Sequence, residues 1–439
     1  MRKRQQVGAI GLSAAALAVA GGTLKLAHGY LTTAPVSGRP AATAPPAAGS
    51  APEATPIQTT AVPERAVPKT AKAASPLEPV PLDPQAARER GLVDVRGVGD
   101  SGMALTYKQP RSLGGTLPAG ETLPEGGPAD FGHWLDALDP SGRSYRGHLS
   151  FLNWESVVGE RCNRFRGTPG PRSYAFVSHP ANLQAAHQRG FNLIGLANNH
   201  TQDCPSAPGG VRGTLMSARQ MVRLERSLSA DWVWHGVGRQ KAARVRSVSV
   251  GDRSMRVAFA GLYMGGPQCR YAACAAARST VLESLQSADA DLRILSIHSW
   301  NAATQQQLVE TGEAFLRRYG GDIVFGHGPH VWRKVRAIES RSGERGILFE
   351  SLGNFLHPSL AAQRKNIIGR VLLDRDTLEP RQVQVIPVAT QGVRGSFARA
   401  PNPARIPANR DWQTVDGAAW RSGAPESVRG AYFNWNGSP

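Results

Sequence analysis

Six short apolar runs, five of them stopping at or just before an acid, an amide or an imidazole, constrain this 439-residue chain more than any other feature. They are LVDVRGVG (92–99), GHLSFLN (147–153), FNLIGLA (191–197), RVAFAGLY (256–263), LRILSIH (292–298) and GDIVFGH (321–327). Runs this short and this continuous in apolar residues are expected as buried strands. Amphipathic stretches intervene. PANLQAAHQRG precedes the third run, and TQQQLVETGEAFLRRYGG (304–321) precedes the sixth with a glycine stop. Farther on, RGILFESLGNFL and the pair IIGRVLLDRD/RQVQVIPVA read as antiparallel additions. The alternation predicts an α/β protein built on a layered, mixed sheet.

The polar residues fall where the runs end. Asp100 follows the first and Glu155 the second; Asn199 and His200 follow the third. His298 closes the fifth, and His327 and His330 close the sixth. Taken singly, an Asp after a strand is a turn or cap residue, and a His is a hydrogen-bonded structural one. In an open α/β sheet, however, ligands bind outside the carboxyl ends of the strands. Five strand ends delivering such groups to one edge make a candidate site. Two carboxylates, an amide oxygen and several imidazoles, with no thiolate, suit Mn, Fe or Zn rather than calcium. Two such ions can clamp an anionic oxygen during an in-line displacement. An imidazole outside the ligand set can then protonate the leaving group.

Composition bounds the partners. A hydrophobic fraction of 41% is enough for a sizeable core, and a net charge of +18 favours anionic partners. The basic residues are scattered, with no Lys/Arg run interleaved with aromatics, so nucleic acid is not expected. Arg2, Lys3 and Arg4 precede an uncharged small-apolar stretch (7–24) and the small-x-small triplet Ala27-His28-Gly29. Residues 1–30 therefore read as an export signal or, if uncleaved, a membrane anchor, with the body of the protein outside the cytoplasmic membrane. Residues 31–90, rich in Ala and Pro, are expected as a disordered tether. Residues 91–393 form the folded domain, and 394–439 a strap or tail. The four cysteines suit an oxidising compartment. Cys269 and Cys274 are close enough for a local bridge, leaving Cys162 for Cys204; four buried thiols are the alternative.

At these residues the chain resembles the CapA, or poly-γ-glutamate capsule synthesis, family within the calcineurin-like metallophosphoesterase superfamily. The resemblance covers about residues 94–391 and rests on GVGDSGM, SFLNWES, LANNHTQD, GVGR (236–239), IHSW, VFGHGPHVWRKV and FESLGNFL in that order. It implies a four-layer αββα sandwich of mixed sheets flanked by helices, holding a divalent transition metal centre, dinuclear in Mn, Fe or Zn. It implies Asp100, Glu155, Asn199, His298, His327 and His330 as ligands, with Glu155 bridging, and His200 as general acid. Asp203 either orients His200 or caps a helix. Arg239 is either an anion contact or a surface arginine, and Asn354 either closes the site or holds a turn.

Some positions depart from the family pattern. Ser101-Gly102 follow Asp100, where the wider superfamily has Asp-x-His, and Met103 falls one residue late. Ser299 separates His298 from Trp300, and Gly328 stands where the family has a second His. Two functions follow. One is an exported metal-dependent hydrolase acting on an anionic envelope or capsule substrate, a polymer or phosphoester. The other is a non-catalytic, membrane-tethered component of capsule polymer synthesis or export, partnered by a membrane polymer synthase.

Overall fold

Each of the six apolar runs becomes a strand, and the strands divide between two sheets. In chain order they are β1 (Leu92–Ser101), β2 (Leu149–Trp154), the short β3 (Val157–Val158) and β4 (Val177–Ser178), β5 (Leu193–Gly195) and β6 (Val233–His235). Next come β7 (Arg244–Val250), β8 (Arg253–Tyr263), β9 (Leu292–His298), β10 (Ile323–His327), β11 (Val335–Glu339) and β12 (Arg345–Phe349). The last are β13 (Gln363–Asp374), β14 (Pro380–Thr390), β15 (Arg421–Ser422) and β16 (Ala431–Asn434). This computed structural model describes residues 77, 80–102, 131–166, 175–228, 231–250, 252–266, 269–340, 342–357, 363–390, 421–422 and 431–434. The expected leader, 1–30, and nearly all of the expected tether lie outside the described residues.

One sheet has eight strands in the order β15-β16-β14-β13-β1-β2-β5-β6, with β1, β2, β5 and β6 parallel. The other has six, in the order β11-β12-β10-β9-β8-β7, with β8, β9, β10 and β12 parallel. The antiparallel pairing of β13 with β14 is the one anticipated from IIGRVLLDRD and RQVQVIPVA. Within the segment expected as a strap, β15 and β16 extend the first sheet beyond β14.

The sheets pack face to face through Val95, Phe151 and Leu193 on one side and Phe259, Ile294 and Phe325 on the other. Phe151 stacks on Phe325 at 5.0 Å, and the His327 ring lies 5.8 Å from Phe151. Burying such a ring contributes about 1.5–3 kcal/mol, and this stack also fixes where the ends of β2 and β10 meet. The outer face of the first sheet is covered by α2 (Phe131–Leu138), α3 (Ala181–Gln188) and α4 (Gly213–Ser227). That of the second is covered by α5 (Arg278–Gln286) and α6 (Ala302–Arg318). The result is helix, sheet, sheet, helix, as the resemblance implied. α6 starts at an Asn301–Thr304 capping box and stops before Gly320, whose φ of +62° admits the turn. Among the described residues no helix is long and apolar enough to cross a membrane.

The folded part begins earlier than expected. Residues 80–90, assigned from composition to the tether, contain α1 (Pro84–Glu89), and Val80 and Leu82 are fully buried. The reason lies in the first sheet. Arg96 and Arg370 flank Asp94, all three fully buried, with N–H donors 2.7 Å from Asp94 Oδ2. Two guanidiniums carry more donors than one carboxylate can accept. Arg370 spends its remainder on the carbonyls of Val80 and Pro81, each at 2.8 Å, and Arg96 reaches that of Leu82. Burial alone would push the Asp94 carboxyl up; the two arginines outweigh it and hold the pKa well below the usual carboxylate range.

Asp94→Ala leaves two buried cations without their counter-charge and is expected to cost about 3–5 kcal/mol by urea denaturation at pH 7. Because the folded pKa is depressed, this stabilisation is complete above the unfolded value of about 3.9. It is lost as the pH falls below that value toward the folded one. The same variant should therefore show a flatter stability profile on the acid side, and an unchanged profile would contradict the assignment.

Candidate metal centre

Asp100 sits at the carboxyl end of β1, where a register shift after Val98 turns its side chain out of the regular ladder. Its surroundings come from both sheets. Asn153 at the end of β2 donates to Asp100 Oδ1 at 2.9 Å, and the Gly328 N–H donates to Oδ2 at 3.0 Å. From the second sheet, His298 Nδ1 and His327 Nδ1 lie 3.7 and 3.6 Å from Oδ1, and His330 Nδ1 lies 3.1 Å from Oδ2. Gly328 is required there. Its φ is +109°, and a Cβ would stand 1.8 Å from the Ser299 carbonyl oxygen. The glycine that departs from the family pattern thus provides a backbone donor to Asp100.

Electrostatics follow from this packing. Burial raises the Asp100 pKa, but hydrogen bonds from His327 and His330 and the charge of His330 hold it well below the ordinary range. Burial pulls His330 down, yet Asp100 and Glu155 raise its pKa to about 9. Burial dominates at His298, lowering it to about 3 and keeping a neutral imidazole, the form a metal ligand needs. The imidazoles are also oriented: His298 Nδ1 and His327 Nδ1 are 2.8 Å apart, and His327 Nε2 lies 2.8 Å from Ser296 Oγ. His330 Nδ1 is 2.8 Å from Asn354 Oδ1, and Asn354 itself bridges to Asp100 through the backbone.

Glu155 closes the centre from the β2 side. It is fully buried, and neither carboxylate oxygen makes a hydrogen bond among the described residues. Three imidazole nitrogens approach it: His357 Nε2 at 3.1 Å, His298 Nε2 at 3.7 Å and His200 Nε2 at 3.8 Å. Burial and Asp100 push its pKa up, and the facing imidazoles of His357 and His298 outweigh them, bringing it to about 2. Asn199 Oδ1 is likewise buried without a hydrogen-bond partner. Orphaned buried acceptors cost about 1–3 kcal/mol each, more when charged. A buried carboxylate facing several imidazole nitrogens, with an open amide oxygen on the adjoining turn, fits a divalent cation. Two groups have ligand atoms within 4.8 Å of one another: Asp100, His298 and His327; and Asp100, Glu155 and His330. Asp100 is common to both.

The third strand end delivers a different pair. Asn198 caps a tight turn, Asn199–Gln202, with Thr201 completing a capping box. That turn presents His200, whose Nδ1 lies 2.5 Å from Asp203 Oδ2, while Asp203 also accepts the Phe176 N–H at 2.9 Å. Of the two roles open to Asp203, the geometry places it on His200 rather than at a helix N-cap. Burial lowers the His200 pKa, and Asp203 and Glu155 more than reverse this, raising it. The turn is tied down by a Cys162–Cys204 disulfide, and the second bridge joins Cys269 to Cys274.

Asp100, Glu155, His298, His327 and His330 thus converge with Asn354, and the His200–Asp203 pair abuts Glu155. Arg239 stands apart on an exposed loop, its guanidinium 5.1 Å from the Tyr271 ring. Sequence reasoning passed over His357 and Asn153. His357 carried a signal of the same kind as the others, an imidazole closing the buried run SLGNFL. Asn153 looked like part of a strand, and only its neighbour across the sheet reveals its role.

Residues 129–359 match the model of a family described as bacterial capsule synthesis protein PGA_cap. The match takes in every residue of the centre named above except Asp100, which precedes it. Capsule biosynthesis protein CapA of Bacillus anthracis is 24% identical over 187 residues, 40% of this chain and 42% of that protein, so less than half of the relative is spanned. Two solved structures are also similar. A novel phosphatase of Mycoplasma pneumoniae is 12% identical, with a TM-score of 0.39, covering 69% of this chain and 95% of that one. A hypothetical protein from Thermus thermophilus is 13% identical, with a TM-score of 0.36, covering 68% and 99%.

Elemental analysis of the purified protein is expected to find tightly held transition metal, and Asp100→Ala to lose it entirely, because both candidate groups contain that residue. Ser296→Ala, which removes the partner of His327 Nε2, should weaken metal affinity by about 10–100-fold. Metal retained at native stoichiometry in Asp100→Ala would remove Asp100 from the ligand set.

Proposed function

The chain belongs to the bacterial capsule synthesis protein family PGA_cap, and we propose that it is an exported, metal-dependent hydrolase of phosphoesterase type acting on an anionic envelope or capsule substrate. The observation that carries this reading is the pairing of two ligand groups through Asp100 with a separate His200–Asp203 pair at their edge. Asp100, Glu155, Asn199, His298, His327 and His330 would hold the metal, with Asp100 in the shared position rather than Glu155. When bound, the metal supplies Lewis-acid polarisation and charge neutralisation at the scissile group.

The chain's own residues do the rest. Asp203 engages His200 Nδ1, so the remaining ring nitrogen, Nε2, is the one turned toward Glu155, 3.8 Å away. A proton held at Nε2 is positioned for the departing oxygen of an ester bound at this edge. The Phe176 N–H and Arg166 fix Asp203, and Asp203 in turn fixes the ring, so that the donor does not rotate away. Ser296, Asn153, Asn354 and the Gly328 N–H hold the ligand side chains in place and leave their free atoms facing one another. The net charge of +18 supports an anionic substrate, and the paired cysteines support residence outside the cytoplasm.

His200→Ala is expected to lower kcat toward phosphodiesters or phosphomonoesters by about 10²–10⁴-fold with metal content unchanged. Chelation should abolish turnover of the native enzyme, with recovery on adding back Mn²⁺ or Zn²⁺. Full activity in His200→Ala at saturating metal would end its assignment as proton donor. Metal-dependent polymer binding without hydrolysis of any phosphoester would overturn the hydrolase reading itself.

A further inference from the structure

Beside the His200 turn lies a cavity of about 150 Å³, lined by Arg166, Gln202, Arg212, Gly213, Thr214 and Arg270. Taking about 30 Å³ per liquid water, that is room for roughly five waters, enough for one oxyanion and the atoms that carry it. Three arginines, all exposed to solvent, border this small space, and their like charges favour an anion between them. The carboxylate paired with Arg166, Asp203, lies 3.4 Å away through Oδ1 and is already engaged with His200 through Oδ2. Neither Arg212 nor Arg270 makes an ion pair among the described residues, and the Arg270 guanidinium lies 5.3 Å from the Tyr271 ring.

Two further features point the same way. Gly213 and Thr214 form the first turn of α4, a 15-residue helix whose N-cap residue, Arg212, makes no side-chain capping bond. The Gly213 N–H already donates to the Cys204 carbonyl at 2.7 Å, and the Leu215 and Met216 N–H groups donate to the Arg212 carbonyl, so this terminus favours an anion chiefly through its dipole. Thr214 is 2% exposed, and its hydroxyl oxygen has no hydrogen-bond partner. A buried hydroxyl on the wall of a basic cavity is a donor without an acceptor.

The walls are also fixed relative to the metal centre. The Arg166 N–H donates to the Asp203 carbonyl at 2.8 Å, and Arg166 Nη2 reaches the Asn199 carbonyl at 3.1 Å. The Cys162–Cys204 bridge joins the same two loops.

We propose that this cavity is an oxyanion subsite that takes a second charged group of the substrate, next to the one presented to Asp100, Glu155 and His200. The substrate class is then a chain bearing repeated oxyanions, carboxylates or phosphates, rather than an isolated monoester. Its standing as a substrate subsite rests on the hydrolase reading; its capacity to bind an oxyanion does not.

The test is calorimetric titration of the full, chelator-treated chain with tripolyphosphate and, separately, with tetraglutamate at low salt. Arg212→Ala/Arg270→Ala and Thr214→Val are compared with a charge-matched control, Arg219→Ala/Arg223→Ala, on the exposed face of α4. The expected result is at least about tenfold weaker binding of one or both probes in the two pocket variants, with the control unchanged. The probe with the larger loss identifies the oxyanion. Native-like affinity for both probes in Arg212→Ala/Arg270→Ala, or equal losses in the control, overturns the subsite. Because binding is read without metal or turnover, an inactive enzyme with intact pocket binding would sink the hydrolase reading and leave the subsite standing.

Discussion

Keeping Asp100 charged while it is fully buried is the constraint on which the centre depends. An isolated carboxylate in a protein interior would take up a proton rather than bear the loss of hydration. Here Asn153 and the Gly328 N–H satisfy it directly, and three imidazoles from the opposing sheet surround it. Each partner depends on a different part of the fold. Asn153 needs the parallel pairing of β1 with β2, and Gly328 needs a left-handed turn after β10. The imidazoles need the two sheets to pack in one register, which the stacking of Phe151 on Phe325 secures. Shifting any of these would leave an uncompensated charge in the core.

Glu155 and Asn199 show the other half of the same physics. Their acceptors are buried, Asn199 Oδ1 without a hydrogen-bond partner and the Glu155 carboxylate facing only imidazole nitrogens among the described residues. The arrangement makes sense for a centre completed by a cation. Around this acidic interior the charge changes sign. Arg166, Arg212 and Arg270, from three separate parts of the chain, line one cavity beside the His200 turn. The Cys162–Cys204 bridge and the backbone bonds beside it hold rim and centre together as one rigid wall.

Much of this was legible in one dimension because strand burial and strand termination are local properties. Continuous apolar runs announced β1, β2, β5, β8, β9 and β10, and the residues that ended all of them but β8 were the ligand candidates. His357 escaped notice although it too ends an apolar run. Asn153 and Ser296 were invisible, since a polar residue inside a strand gains meaning only from what lies across from it. Residues 80–90 were misjudged by composition. Their order comes from carbonyls that answer buried guanidiniums of Arg96 and Arg370, the latter far along the chain.

The amino-acid sequence by itself determined the α/β alternation and the strand ends that carry chemistry, and it narrowed the cysteine pairings, because each depends on near neighbours or on a choice among few partners. Tertiary structure decided that these strand ends belong to two sheets, and that Asp100 lies in the seam where both ligand groups meet. It also decided that a glycine in place of a histidine donates the backbone bond that holds Asp100, and that three distant arginines share one cavity. Those facts arise from the register between packed layers, which is set by side chains meeting across space.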